Sequence, residues 1–460
     1  MLPPGPDRSP RVWELAALRR DPLRYFAELR RHGEVAHVAV RAAGVLLVRI
    51  TLVQDPALIK KILVDDDACF EKPRALKKLK VLLGEGLLTS EGEHHRRQRR
   101  LMQPAFHRDA VLRYAPTMVE CAAQAEARWQ DGATLDMMAE LMHVTLAIAG
   151  RTLFGVDVTA EADEIGGALA TLMEAFPDFI SPFAALWRVL PTRRNRAVAA
   201  ALVRIDETIF RIIAARRASG EVGDDLLGRL LAAEDEGKAG MTEQQVRDEA
   251  ITLFLAGHET TAVALAWTFY LLAGHPEALA AVHAELDAVL AGRLPTADDL
   301  PRLVHTRRVL QEAMRLYPPA HTFGRGVLRE YALGPYTIPA GRSMVFICPY
   351  LLHRDERYFP APLEFRPERW TPEFEAGLPR FAYVPFGGGA RVCIGAAFAW
   401  MEGTLALATL LRRWTVALAP DAEVRPVPRV TLRPSELPMI VRQRPSTTPS
   451  FAAEISRSGT

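Results

Sequence analysis

The sequence predicts a mainly α-helical protein with small β-sheets, an α+β fold, and three observations lead to this prediction. Helical apolar periodicity fills most of the stretch from Asp109 to Leu290. The β-prone runs are short and fall in two separate places, near residues 34–51 and 333–347. Because these runs do not alternate with helices along the chain, a doubly wound α/β sheet is not expected.

Local signals then place the elements in order. Residues Pro22 to His32 have the spacing of an amphipathic helix, and residues 34–51 alternate as a pair of strands does. Turn residues in 333–347 separate short β-prone runs. The breaks expected in the helical region are Pro177, Pro182, Pro191, Ser219 with Gly220, Gly223, and residues 237–240.

Length and composition favour one domain. The chain has 460 residues, 49% of them hydrophobic and 24% charged, and no Gly/Ser/Pro-rich linker divides it. We expect only the ends, about residues 1–20 and 445–460, to be flexible. The C-terminal segment is rich in Ser and Thr and has no apolar periodicity.

Charge and cysteine content exclude several classes. A net charge of +2 gives no global field for binding nucleic acid, and four scattered cysteines without a C-x-x-C pair indicate a reducing compartment. The sequence has no uninterrupted apolar run long enough to predict an integral membrane segment. Its first residues resemble neither a signal peptide nor a membrane anchor. We therefore expect a soluble, cytoplasmic monomer. Trimming of an anchor would leave a similar Pro-rich start, so the sequence leaves that alternative open.

A long helix is predicted from Thr242, which forms a capping box with Gln245, to about Gly274. Its apolar middle contains the polar cluster Ala256-Gly257-His258-Glu259-Thr260-Thr261, which is costly to bury without a purpose. Small residues at 256 and 257 would let a flat ligand lie against the backbone, and Thr260 can bond the carbonyl of Ala256. A Ser/Thr patch that only bonds back to its own helix is the alternative.

One cysteine carries the strongest functional signal. Cys393 lies in the Gly-rich segment Phe386 to Gly395, directly before a long apolar helix. The helix N-terminus offers free N–H groups and a positive dipole end that favour a thiolate, and glycines let backbone amides approach the sulfur. We predict a metal ligand here, with an inert buried thiol in a tight turn as the alternative.

The spacing F-x-x-G-x-R-x-C-x-G, through Phe386, Gly389, Arg391, Cys393 and Gly395, resembles the haem-binding loop of the cytochrome P450 family. The resemblance covers roughly residues 20 to 440. It implies the cytochrome P450 fold, in which a long distal helix and the Cys-ligand loop sandwich haem b (iron protoporphyrin IX), with Cys393 bound to iron as a thiolate.

The long helix resembles the oxygen-activating helix of that family. By this resemblance Thr260 and Glu259 are the alcohol and the acid of the catalytic pair, with Glu259 helping to relay protons, and Ala256 and Gly257 border the haem. His258 is expected to be structural or solvent-facing.

Two further motifs match the family in order. The E-x-x-R pair Glu312 and Arg315, with Arg369 downstream, resembles the structural network that locks the proximal side. His95 and Arg99, four residues apart on one helical face, resemble the pair that binds a haem propionate. Arg325 and Arg391 occupy further cationic positions by resemblance.

The resemblance implies a monooxygenase that inserts one oxygen atom from O2 into a hydrophobic substrate by hydroxylation or epoxidation. No nucleotide-binding motif or cysteine cluster is present, so electrons are expected from a ferredoxin or flavodoxin with its reductase. The extra basic residues Arg96, Arg97 and Arg100 would suit an acidic partner. A peroxide-dependent peroxygenase or an isomerase on the same fold, and a non-catalytic haem sensor, are the alternatives.

Apolar residues in the expected access and cover segments favour a terpenoid, fatty acid, steroid or polyketide substrate, without choosing among them. The expected pocket residues are Leu79, Val81, Leu82, Leu83, Phe176, Phe179, Leu253, Ala256, Ala320, Thr322 and Phe323, with Phe183 and Trp187 near the access lid.

Overall fold

The structure is a computed structural model of the chain. It describes residues 1–6, 21–42, 45–155, 162–180, 190–220, 223, 225–232 and 241–445. The helices are α1 Pro22–Arg30, α2 Pro56–Lys60, α3 Arg74–Lys77, α4 Lys80–Leu83, α5 Gly92–Met102, α6 Arg108–Arg113, α7 Ala115–Glu126, α8 Met137–Leu153, α9 Ala162–Ile180, α10 Arg193–Ser219, α11 Leu226–Ala232, α12 Glu243–Gly274, α13 Pro276–Leu290, α14 Val304–Leu316, α15 Pro349–Leu352, α16 Pro372–Gly377 and α17 Ala396–Arg413.

Small sheets accompany these helices. The strands are β1 Val35–Ala42, β2 Val45–Val53, β3 Phe70–Glu71, β4 Thr134–Asp136, β5 Phe323–Val327, β6 Tyr331–Leu333, β7 Tyr336–Ile338, β8 Ser343–Ile347, β9 Trp414–Leu418, β10 Pro426–Pro428, β11 Leu432–Pro434 and β12 Pro438–Gln443. The largest sheet has the order β1-β2-β8-β5-β3, in which β2 and β8 run parallel and the other pairs antiparallel. Strands from distant parts of the chain therefore join in one sheet.

The long predicted helix is α12, and its capping box is present. The Thr242 hydroxyl accepts the Gln245 N–H, and the Gln245 side chain accepts the Thr242 N–H at 2.9 Å. α12 packs against α8, α14 and α17 within the main apolar core. It is long and apolar enough to cross a bilayer, but 83% of its apolar window is buried inside the protein, as for a core helix.

The structure confirms the mainly α-helical class with small sheets and corrects some details. Pro177 lies within α9 and does not break it. Proline has no N–H, so α9 continues past this residue with the bond to the Met173 carbonyl missing. Residues 1–6 are held by backbone hydrogen bonds: the Met1 carbonyl accepts the Thr337 N–H, and the Pro4 carbonyl accepts the His37 N–H. Gly220 ends α10 with φ +66°, as expected.

Candidate haem site

The loop before α17 has a fixed backbone. The Cys393 N–H donates to the Phe386 carbonyl at 3.0 Å, and the Val392 N–H donates to the Gly389 carbonyl at 3.1 Å. Gly389 has φ +69°, and a Cβ there would lie 1.7 Å from the Leu63 carbonyl oxygen. Only glycine fits this position, because a side chain would meet both left-handed strain and a backbone clash.

Cys393 differs from the other cysteines of the chain. Its side chain is exposed, whereas Cys69, Cys121 and Cys348 are buried. Burial within the surrounding protein nevertheless raises the pKa of the Cys393 thiol, while the Gly395 N–H and the Arg99 guanidinium lower it. A thiol that is accessible and yet surrounded by protein is expected in the wall of an internal cavity.

The middle of α12 has one open face. Residues around it are buried, but Ala256 is exposed and Gly257 and Thr260 are partly exposed. These three positions lie on one side of the helix. The Thr260 hydroxyl donates to the Ala256 carbonyl at 2.7 Å, the bond that the sequence predicted. A flat ligand can therefore approach the backbone here, since no large side chain covers it.

Glu259 points elsewhere. It is buried, and its Oε1 accepts the Thr431 hydroxyl and, at 2.8 Å, the Arg433 Nε–H from the β11 region. Its Oε2 has no partner among the residues that the structure describes. The acid and the alcohol of the predicted pair thus occupy neighbouring facets of α12, and only the alcohol lies on the open one.

A cluster of cations lies at one side of the site. Arg325 is buried and its Nε has no partner among the described residues, and the same holds for Nη1 of Arg391. Burial lowers the pKa of Lys72 to about 7 and that of Arg325 to about 10. The His95 pKa falls to about 4, mainly through burial and then through neighbouring cations. So many poorly compensated cations predict a bound anion.

Two acids, Glu91 and Asp67, reach this cluster, but among the described residues neither pairs with Nε of Arg325 or Nη1 of Arg391; Oδ1 of Asp67 lies 3.6 Å from Nε of Arg391. Glu91 accepts Nη2 of Arg391 at 2.7 Å and also the Lys72 backbone N–H. Arg99, predicted with His95 as a propionate ligand, donates from Nη1 to the Val392 carbonyl at 2.8 Å. Arg99 therefore contacts the cysteine loop directly and links α5 to it.

The E-x-x-R motif forms a buried network. Arg315 and Glu312 are each fully buried and joined by two hydrogen bonds of 2.8 and 2.9 Å. Arg369 Nε donates to the same carboxylate at 2.9 Å, as the sequence predicted. The Trp370 indole N–H also donates to it at 2.8 Å. With the Arg366 backbone N–H included, five N–H donors from four residues are fixed on one carboxylate.

This network continues to the cysteine loop. Arg315 Nη1 donates to the His353 carbonyl at 2.8 Å, and the His353 Nε2 accepts the Val384 N–H at 2.9 Å. Burial holds the His353 pKa well below its usual value, so the ring stays neutral and can accept. The Tyr383 hydroxyl adds a bond to the Gln311 carbonyl. The loop is thereby tied to α14 just before Phe386.

Comparisons with known proteins decide the family. The family model described as Cytochrome P450 matches residues 3–441. The chain belongs to the cytochrome P450 family.

Several relatives resemble this cytochrome P450 over nearly its whole length. It is 40% identical to cyclooctatin synthase of Streptomyces melanosporofaciens, over 96% of this chain and 95% of that protein. Cyclooctat-9-en-7-ol 5-monooxygenase of the same organism is 36% identical, over 93% and 90%. Pentalenene oxygenase of Streptomyces avermitilis is 35% identical, over 93% and 94%.

Solved structures agree with this assignment. The haem domain of cytochrome P450DA has a TM-score of 0.84 to this chain at 28% identity, covering 96% of this chain and 97% of that one. A mutant of that haem domain has a TM-score of 0.80, also at 28% identity and with 92% of each chain covered. The protein is thus a cytochrome P450 monooxygenase that binds haem through a cysteine thiolate.

The residues of this chain fit haem in three independent ways. The loop presents one accessible, enclosed thiol, and α12 presents a face without large side chains. In the cationic cluster, Arg325 and Arg391 each keep a donor that has no partner in the described part of the chain. Two propionates would satisfy such donors, since a guanidinium binds a carboxylate through charge-assisted bonds. When bound, haem supplies the one-electron and O2 chemistry that side chains lack.

The expected pocket residues fall into three groups. Leu79, Leu82 and Leu83 belong to the main core and are at most 3% exposed, so they support a wall and offer almost no surface to a ligand. Ala256 and Ala320 are exposed and Thr322 and Phe323 partly exposed, whereas Leu253 is buried. Val81 is half exposed. The Phe176 and Phe179 side chains, and all of Phe183 and Trp187, lie outside the described residues.

Sequence reasoning missed Lys72, Glu91 and His353. Lys72 and Glu91 lack a motif of their own, and only the fold brings them beside Arg391. The charged run that His353 begins, residues 353–357, favours an exposed loop, so no sequence signal indicated that His353 is buried.

Proposed function

We propose that this cytochrome P450 inserts one oxygen atom from O2 into a C–H or C=C bond of a terpenoid. Two of its relatives are named for oxygenating cyclooctat-9-en-7-ol and pentalenene, and both match along nearly the whole chain. The expected pocket residues Ala256, Ala320 and Phe323 support the choice, because all three are apolar and at least partly exposed. A fatty acid, steroid or polyketide remains the competing class.

Cys393 is the proposed iron ligand. It is the exposed cysteine, and the loop hydrogen bonds and Gly389 fix its position. Arg325 and Arg391, each with a donor that has no partner among the described residues, are proposed to hold the propionates together with His95. Lys72 is proposed to join them because burial destabilises its cation, while its Nζ also donates to the Leu87 and Ser90 carbonyls. Arg99 is proposed to act at the loop, where it contacts Val392 and lowers the pKa of Cys393.

Thr260 and Glu259 are proposed as the catalytic pair. The Thr260 hydroxyl lies on the open face, within reach of a ligand held against Ala256. We expect Thr260→Ala to keep haem and substrate binding but to divert most reducing equivalents to hydrogen peroxide. A peroxygenase would be indifferent to this change, so unchanged coupling of electron use to product would favour that alternative.

Electrons are proposed to arrive from a ferredoxin or flavodoxin with its reductase. Beside the cysteine loop is a groove of about 400 Å³ that includes Arg307, Phe386 and Trp400. The Trp400 ring packs edge-on against Phe386 at 5.8 Å, and Arg307 lies 4.5 Å above the Trp400 ring. With Arg96 and Arg100 exposed on α5, this side offers cations to an acidic partner.

The dependence of the reduction rate on salt concentration tests this proposed partner. Reduction by an acidic ferredoxin should slow as ionic strength rises, and Arg307→Ala should weaken the effect. Independence from salt would remove the docking proposal. We propose a cytoplasmic, monomeric protein, to be checked by fractionation and by light scattering.

The substrate class is tested by binding and by product mass. Cyclic terpenoid hydrocarbons and alcohols, fatty acids, steroids and macrolides would be titrated into the haem protein while the spin state of the iron is followed. We expect the terpenoids to shift the spin state and, with a reducing system, to gain one oxygen atom by mass spectrometry. Turnover of a fatty acid with no response to any terpenoid would overturn the proposed class.

A further inference from the structure

A buried polar cluster lies between α12 and the segment that leads into α5. Glu249 on α12 is fully buried, and its Oε2 accepts the Leu87 backbone N–H at 2.8 Å. Its Oε1 has no hydrogen-bond partner among the residues that the structure describes. A buried carboxyl oxygen without a partner is costly, so a further polar group or an ordered water is required there.

Neighbouring side chains share this property. Gln98 on α5, Ser90 and Thr252 are all buried, and the polar atoms of their side chains also lack partners within the described part of the chain. The Gln98 side chain interacts with Glu249 and lowers its pKa, but the contact lacks the geometry of a full hydrogen bond. A Cβ at Gly86 would come within 2.3 Å of the Thr252 hydroxyl oxygen, so the segment that leads into α5 packs closely against α12 at this point. Polar atoms converging in this way are built to hold ordered water.

The cluster adjoins the open face of α12. At about 100° per residue, Glu249, Ala256 and Thr260 fall within roughly 20° of one line along the helix. Thr252 lies one turn before Ala256, about 6 Å along the axis, and Thr260 lies one turn after it. Glu259, the acid of the proposed catalytic pair, is held by Arg433 on another facet, so a donor on this side of the helix would act beside Glu259 and not replace it. A path from Glu249 to Thr260 therefore follows one side of the helix.

We propose that Glu249 supplies a proton for the monooxygenase reaction, passing it through ordered water beside Thr252 and Gln98 to the hydroxyl of Thr260. The overall reaction, R–H + O2 + 2 H⁺ + 2 e⁻ → R–OH + H2O, consumes protons while the redox partner supplies the electrons. The O–H bond of the Glu249 carboxyl breaks as an O–H bond forms on the adjacent water, and that water releases one of its other protons to the Thr260 oxygen. Thr260 in turn gives up its own hydroxyl proton to the O2-derived oxygen that leaves as water, and the Glu249 carboxylate later regains a proton from solvent. This proposal rests on the monooxygenase activity and not on the choice of substrate.

The charges around Glu249 suit a donor. Burial is the largest influence on Glu249 and raises its pKa to about 8. The negative charge of Asp248 acts in the same direction, whereas the Leu87 N–H, Lys72 and Gln98 lower the pKa. The acid is thus protonated near neutral pH and titrates close to it, as an effective proton donor should. Lys72 donates from Nζ to the Leu87 and Ser90 carbonyls at 2.7 and 2.6 Å. Its backbone N–H donates to partly exposed Glu91, so solvent on that side is the proposed source of the replacement proton.

Glu402 on α17 is the rival donor. It is buried, burial raises its pKa to about 8, and Thr261 on α12 is the hydroxyl beside it. Thr261 is buried and donates to the Gly257 carbonyl, so Glu402 meets α12 away from the open face. Comparing Glu249→Gln with Glu402→Gln separates the two routes, because each change removes one buried acid of similar pKa.

Glu249→Gln keeps an oxygen for the Leu87 N–H and removes the transferable proton. With a substrate that shifts the spin state, we expect at least about a tenfold loss of product per electron pair at pH 7, with more hydrogen peroxide released. Haem content and substrate affinity should not change. Turnover driven by hydrogen peroxide, R–H + H2O2 → R–OH + H2O, takes no proton from solvent and should stay within about twofold of wild type. Thr252→Val should shift coupling in the same direction.

Equal coupling in Glu249→Gln and wild type between about pH 6.5 and 8.5 would overturn the proposal, as would uncoupling confined to Glu402→Gln. If Glu249→Gln also loses peroxide-driven turnover, the substitution has damaged the site itself and its coupling is no longer informative. The protonation of Glu249 is then measured by infrared spectroscopy in a protein that keeps Glu249. Glu402→Gln at pH 7 should retain a protonated-carboxyl band that fades as pH rises through about 8, and absence of that band would refute the donor role. An error in the substrate class would instead appear in wild type as missing product.

Discussion

Replacing Arg315 by alanine tests the network that holds the cysteine loop. Arg315 is fully buried and bonds the Glu312 carboxylate twice, besides the carbonyls of His353, Pro362 and Glu364. Removing one partner of a buried ion pair costs roughly 3–5 kcal/mol. Each carbonyl that loses its donor adds about 1 kcal/mol unless water replaces it. The sum is comparable to the whole stability of an ordinary domain, about 5–15 kcal/mol.

We therefore expect Arg315→Ala to give little folded protein, and that fraction to be poor in haem. The assay is soluble yield, haem-to-protein ratio and the urea midpoint of what is recovered. Arg366→Ala is the matched control, because its side chain forms an exposed pair with Glu368 while its backbone N–H still donates to Glu312. It should cost less than about 1 kcal/mol. Full haem content and an unchanged midpoint in Arg315→Ala would refute the reasoning.

Three further predictions follow. The folded pKa of Glu402, raised to about 8, exceeds the unfolded value of about 4.3, so wild type loses stability as pH rises between these values. Glu402→Gln should gain on the order of 4 kcal/mol relative to wild type by pH 8 and little at pH 4.5, measured by urea unfolding; a constant difference would contradict this. Gly389→Ala should lose haem more readily than Gly387→Ala, whose φ is also positive but whose Cβ meets nothing within 4 Å; equal retention would contradict the clash with Leu63. Lys72→Met should speed haem transfer to apomyoglobin severalfold, and an unchanged rate would remove Lys72 from the propionate site.

What the sequence predicted best were local features. The capping box at Thr242 uses residues three apart, and the bond from Thr260 to the Ala256 carbonyl stays within one turn. The Glu312–Arg315 contact is likewise a matter of helical spacing. Such features depend on backbone geometry alone, so a pattern in the chain is enough to locate them.

Contacts between distant segments were harder to predict. The partner of Glu259 is Arg433, which lies 174 residues further along the chain, and no periodicity relates the two. Leu79 and Leu83 were expected in the pocket because they are apolar, yet apolar character is shared by core and pocket residues alike. Lys72 joins the cationic cluster only because β3 pairs with β5, which carries Arg325. Tertiary packing decides each of these.

The carbon monoxide spectrum of the dithionite-reduced protein tests the central claim most directly, because the position of the Soret band reports the ligand opposite the gas. If Cys393 binds the iron as a thiolate, wild type should show the far red-shifted Soret band of a haem-thiolate protein. Cys393→His should bind haem without that shift. A wild-type adduct with an unshifted band, or a Cys393→His variant that keeps the shifted one, would contradict the account.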